Sequence, residues 1–152
     1  PLLAALAAVA VRQRGELLAR GLEVVVGVPV RLLLPIVREA DGLAMSSRNK
    51  YLEGPQRAAA TVLYRALRAA EGRWLAGVRD GASLREEMRA ALAAEPLAQV
   101  DYVSAADPLT LAEWDGPIPP GAGVLLSMAV FVGRTRLIDN LVLSDAPGAA
   151  RE

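Results

Sequence analysis

At 152 residues and 16.0 kDa, the chain has the length of one domain, or of a small domain with a piece of another. An apolar fraction of 53% with 22% charged residues excludes a disordered chain, and 17 basic against 17 acidic side chains leave no net charge for generic polyanion binding. Cysteine and histidine are both absent, which excludes disulfide scaffolds, thiolate metal sites, cysteine nucleophiles and the commonest general base near neutral pH.

The first residue is Pro1 rather than Met, which reads as a processed product or a cut piece. From Pro1 to Val11 the chain is almost wholly Ala, Leu and Val. A membrane span needs about 20 apolar residues, and Arg12 and Arg14 arrive too soon. The basic start of a secretory signal is missing too. A helix is therefore expected over Leu2–Arg20 with Gly21 as its stop, then a buried strand over Leu22–Val30. The next apolar stretch, Arg31 to Arg38, is broken by Pro35. Glu39 to Tyr51 is polar and carries an Asp41-Gly42 turn signal, so a loop is predicted there.

Gly54-Pro55 opens a helix predicted to run to about Gly77, with Ala59, Val62, Leu63, Ala66, Leu67 and Ala70 on one face. Ser83-Leu84-Arg85-Glu86 has the form of a capping box that starts a second helix, ending near Ala94, with Leu84, Met88, Ala91 and Leu92 inward. Val100–Ser104 is a strand candidate, followed by an Asp107-Pro108 break and a proline- and glycine-rich connection from Asp115 to Gly123. Val124–Val132 and Thr135–Leu143 read as two strands joined by Gly133-Arg134, with a frayed tail from Ser144. The fold class is α+β: helices packed on a small antiparallel sheet.

Chemistry concentrates in Met45-Ser46-Ser47-Arg48. Two adjacent hydroxyls and a guanidinium are donors that suit phosphate oxygens, because arginine holds a phosphate in a two-pronged fork and keeps its proton. By composition alone, the same tetrapeptide also suits a solvated loop. Arg134 and Arg136 flank the last hairpin, either within reach of a phosphate or as solvated strand residues. Arg38 and Glu39 could form a local ion pair. Asp139-Asn140 suggests no chemistry beyond a turn or cap. Trp74 and Trp114 are too isolated to form a stacking platform for nucleic acid.

The run Val37-Arg38-Glu39-Ala40-Asp41-Gly42-Leu43-Ala44-Met45-Ser46-Ser47-Arg48-Asn49-Lys50-Tyr51-Leu52 closely resembles the signature segment of the pantothenate synthetase (pantoate–β-alanine ligase) family. Gln56-Arg57-Ala58-Ala59-Ala60, Asp101-Tyr102 and Gly133-Arg134-Thr135-Arg136-Leu137-Ile138-Asp139-Asn140 resemble later family segments in the same order. The resemblance implies an AMP-forming, ATP-dependent ligase of the nucleotidyltransferase superfamily, joining pantoate and β-alanine through a pantoyl adenylate. It implies that Ser46, Ser47 and Arg48 contact the ATP phosphates, that Met45 lies at the adenine side, and that Val37 offers backbone hydrogen bonds to the base. ATP with Mg²⁺ is the implied substrate complex, with no metal ligand set in this chain.

The family's His-x-Gly-His motif and its Lys-Asp-Tyr-Gln-Gln segment have no counterpart here. Two alignments place the family's proline at Pro29 or at Pro35, and Pro35 needs no gap. The resemblance thus implies a remnant of a Rossmann-like nucleotide-binding domain at 1–36, a C-terminal lid domain at 37–143 and a tail at 144–152. The implied partners are pantoate, β-alanine, ATP, an N-terminal half and a possible second copy, with no nucleic acid and no membrane, in the cytoplasm. On that reading the isolated chain is inactive. The competing expectation is a non-catalytic interaction or dimerisation domain derived from the same family.

Overall fold

The computed structural model describes residues 36–145, which belong to one compact unit. The helix expected over 2–20 and the strand over 22–30 lie outside the described residues. In chain order come a 3₁₀ turn, Ser47–Tyr51, then α1 (Pro55–Ala59), α2 (Val62–Leu75) and α3 (Gly81–Ala93). The strands β1 (Ala98–Ala106), β2 (Val124–Val132) and β3 (Thr135–Leu143) follow. They form one antiparallel sheet in the order β1-β2-β3, and α2 and α3 pack together against one of its faces.

Alternation builds the sheet. Val124, Leu126, Met128, Val130 and Val132 are fully buried under the helices. The period of two carries the same face into β3 as Thr135, Leu137 and Asp139. Against this layer α2 sets Val62, Leu63, Ala66, Leu67, Ala70 and Trp74, and α3 sets Leu84, Met88 and Leu92. β2 and β3 end where the sequence places them. Gly133, at φ +60°, followed by Arg134, whose φ is not positive, makes the two-residue II′ turn whose twist suits a hairpin.

Three expectations are corrected. The helix expected from Gly54 to Gly77 is two helices, interrupted at Ala60-Thr61, where the Thr61 hydroxyl donates to the Ala58 carbonyl at 2.8 Å. The second helix is capped by Asp80, not Ser83: its carboxylate accepts from the Ser83 amide at 2.7 Å, and the Ser83 hydroxyl, then this amide, hold the Asp80 carboxyl below the ordinary range. Gly81 starts that helix against the Trp114 backbone, where a Cβ would collide with the carbonyl oxygen. Finally, the segment from Glu39 to Tyr51 contains structure, described next.

Two further features bear on the site. β1 bulges between Val100 and Tyr102, so Asp101 falls out of the ladder and its Oδ2 accepts from Arg136 Nε and Nη2 at 2.9 and 2.7 Å. Among the described residues, no helix is long and apolar enough to cross a membrane.

Candidate functional site

The segment ahead of α1 folds back on itself. Arg38 bridges Ala44 in an antiparallel pair, the Met45 amide donates to the Val37 carbonyl at 2.9 Å, and the Glu39 amide donates to the Leu43 carbonyl at 2.8 Å. The reversal runs through Gly42 at φ +89°. Glycine is required there twice over, by the left-handed backbone and because a Cβ would collide with the Tyr64 ring. The fold-back presents Met45 and Val37 side by side, 62% and 68% exposed. Among the described residues the Met45 amide takes one lone pair of the Val37 carbonyl, whose second lone pair can accept another donor.

Ser46 caps the 3₁₀ turn: its backbone is extended and its Oγ accepts from the Arg48 amide at 3.2 Å. Ser46, Ser47 and Arg48 are all exposed at the tip. Below them the base is tied down. Asn49 Nδ2 donates to Glu39 Oε1 at 2.6 Å and to the Ala44 carbonyl at 3.0 Å. Arg57, on α1, forks between Glu39 Oε2 and Asp41 Oδ2, each at 2.7 Å. The local pair expected between Arg38 and Glu39 is not made. Glu39 turns to Asn49 and Arg57, while Arg38 reaches across 101 positions of sequence to Asp139. Asp139 is therefore no turn or cap residue but a buried ion-pair partner, 2% exposed.

Electrostatics divides the segment in two. The Asn49 amide, then Arg57, holds the Glu39 carboxyl below its ordinary value, and Arg57, with the Leu43 amide, does the same for Asp41. Folded-state values below the unfolded ones mean that this stabilisation is complete above the ordinary carboxylate range and disappears as pH falls through the lowered values. Accordingly, the melting-temperature difference between wild type and Arg57→Ala is expected to be full at neutral pH and to close as pH drops below about 4. A difference that persisted unchanged at acid pH would dissociate Arg57 from the two carboxylates.

The tip has the opposite character. Among the described residues neither Arg48 nor Arg134 makes an ion pair, and both line an open concavity of about 740 Å³ with Arg136, Thr135, Tyr51, Glu53 and Gln56. Arg136 faces it already bound to Asp101. Gly133 lets the hairpin sit down on Gln56, since a Cβ there would press on the Gln56 amide. The chain thus brings Arg48 to Arg134 and Arg136 as a cationic wall with one carboxylate, Glu53, in it. Sequence reading missed Tyr51, Glu53 and Gln56 as lining residues. No local signal marks them, because only the seating of the hairpin on α1 assembles the wall. Among the described residues no group of three or more carboxylates is placed to hold a metal ion.

Residues 18–142 match the family model described as pantoate-beta-alanine ligase. A pantothenate synthetase from Herpetosiphon aurantiacus is 54% identical over 135 residues, covering 89% of this chain and 46% of that protein. One from Chloroflexus aurantiacus is 60% identical over 116 residues, covering 76% and 41%. The crystal structure of pantothenate synthetase from Thermus thermophilus superposes with a TM-score of 0.62 at 40% identity, covering 71% of this chain and 38% of that one. The chain thus spans less than half the length of the curated relatives it matches, in their C-terminal part.

Proposed function

The chain belongs to the pantoate–β-alanine ligase family, and we propose that it supplies the phosphate-holding lid of an AMP-forming ligase that condenses pantoate with β-alanine. A pantoate carboxylate oxygen attacks the α-phosphorus of ATP, the bond to the bridging oxygen breaks, and pyrophosphate departs to leave a pantoyl adenylate. The β-alanine amine then attacks the acyl carbon, loses a proton, and expels AMP. No covalent bond to the protein is needed, so a chain without Cys or His nucleophiles is no obstacle.

What these residues contribute is charge stabilisation at the leaving group. Ser46 and Ser47 donate from hydroxyls and Arg48 from its guanidinium, each without reorganisation at the moment pyrophosphate leaves. Met45 packs at the adenine side, and Val37 accepts or donates through its backbone. Mg²⁺ enters as part of the ATP complex, carried by phosphate oxygens rather than by a carboxylate cluster. The observation that carries the reading is the exposed Ser46-Ser47-Arg48 tip, standing on a tied-down base, with Arg48 lining a concavity that Arg134 and Arg136 also line, Ser46 and Ser47 standing beside it rather than in its wall.

Closure of such a lid excludes water, which would otherwise hydrolyse the acyl adenylate. In this reading residues 1–36 are a remnant of the nucleotide-binding domain, 37–143 the lid and 144–152 a tail. The His-x-Gly-His half comes from outside these 152 residues, the isolated chain is a poor catalyst, and the work is cytoplasmic. A homodimer is compatible with this arrangement.

A second reading, a non-catalytic interaction or dimerisation domain, draws on the outer face of the sheet. There Tyr102 and Ile138, cross-strand neighbours through Ala129, remain 42% and 38% exposed. AMP release from ATP, Mg²⁺, pantoate and β-alanine separates the two, with each acid omitted in turn, with and without an N-terminal half of a relative. Release that requires both acids and appears on complementation supports the ligase. No release from folded protein in any mixture supports the interaction domain.

A further inference from the structure

We propose that Arg38 and Asp139 form a clasp that aims the Met45–Arg48 tip, making both of them positioning residues rather than contacts of the nucleotide; this rests on the phosphate role given to that tip. Arg38 Nη1 donates to Asp139 Oδ2 at 2.7 Å and Nη2 to Oδ1 at 2.9 Å, a two-pronged fork. Nη1 also donates to the Gly42 carbonyl at 3.0 Å, and the guanidinium lies over the Tyr64 ring, 4.6 Å from its centroid. Oδ1 receives in addition the Asn140 amide at 2.8 Å. One side chain therefore fastens the fold-back to β3 and to α2 together.

Burial says why the arrangement is discrete. The Asp139 side chain is 1% exposed and that of Arg38 19%. A carboxylate on the core face of a strand is out of reach of water, so the Arg38 fork and the Asn140 amide are the partners that compensate its burial. Buried pairs of this kind often add little net stability over an apolar pair of the same shape, and the role proposed for this one is to permit a single register. Here that register is the height and direction of the fold-back on the sheet. By contrast, the tip has few bonds of its own. Beyond the 3₁₀ turn these are the Met45 amide to the Val37 carbonyl and the Arg48 amide to Ser46 Oγ. Its direction is consequently inherited from the residues beneath it.

The test uses the full chain carrying Arg38→Lys or Asp139→Asn, with Arg48→Ala alongside. Arg38→Lys keeps the charge that neutralises Asp139 but loses the fork. Amide hydrogen exchange is read at Met45 and Asn49, against β2 amides as the measure of global folding. The clasp predicts exchange at Met45 and Asn49 faster by about tenfold or more in Arg38→Lys, with β2 protection unchanged. In the complemented reaction the KM for ATP rises about tenfold while that for β-alanine stays put, a split that a smaller folded fraction cannot produce. Wild-type exchange at Met45 in Arg38→Lys overturns the clasp. If Asp139→Asn loses β2 protection as well, Arg38→Lys decides. Faster exchange at Met45 together with ATP binding indifferent to Arg48→Ala upholds the clasp and overturns the phosphate role of the tip, so the two failures are distinct.

Discussion

Replacing Arg48 by alanine is expected to lower the rate of AMP release in the complemented reaction by about 10²–10³-fold, the usual loss when one fixed donor to a developing oxyanion is removed. The expectation comes from placement. Arg48 stands exposed at the tip, without a carboxylate partner among the described residues, in a wall that also holds Arg134 and Arg136. Its charge is therefore uncommitted, whereas Arg57 and Arg136 are already engaged by Glu39, Asp41 and Asp101. Arg48→Lys should recover part of the loss, because an ammonium restores the charge but not the planar fork. Since Arg48 is exposed, the unfolding free energy of Arg48→Ala from urea titration should stay within about 0.5 kcal/mol of wild type. A rate unchanged by Arg48→Ala would remove this residue from the phosphate site.

Leu126→Ala is expected to destabilise the fold by about 2–5 kcal/mol, read as a lower urea midpoint at unchanged slope. Leu126 is fully buried in the middle strand, flanked by Ala105 on β1 and Leu141 on β3, beneath the helix layer. With strands on both sides and helices above, the site cannot collapse to fill the space a truncated side chain leaves, and the cavity adds to the lost transfer energy. Leu109→Ala is the control. At 76% exposure in the turn after β1 it should shift stability by no more than about 0.5 kcal/mol. Equal effects from the two substitutions would mean that the core does not lie between β2 and the helices.

Local signals and long-range ones fared differently. Val124–Val132 and Thr135–Leu143 were legible to the residue because alternation and a Gly-led two-residue turn are properties of neighbours. The apolar face of α2 was legible for the same reason at the helical period. The cap of α3 was misplaced at Ser83 because the capping-box pattern there is real as a pattern. Asp80 wins by standing three residues earlier, at the point where Gly81 can slide under the Trp114 backbone. That contact comes from the loop after β1, which no window around Ser83 contains.

The same division runs through the candidate site. Sequence by itself determined the family, the α+β class, the identity of the Met45–Arg48 tip and its flanking turn at Asp41-Gly42, since each rests on residue type at short spacing. It also held a trace of Asp139, a charge on the inward phase of a strand, whose meaning depends on what lies opposite. Only the tertiary structure decided that Arg38 is opposite, that Arg57 rather than Arg38 neutralises Glu39, and that Arg134 and Arg136 share a wall with Arg48. Ion pairing is set by distance and burial rather than by sequence separation. Once β3 closes the sheet and the hairpin settles on Gln56, groups far apart in the chain become the nearest available counter-charges.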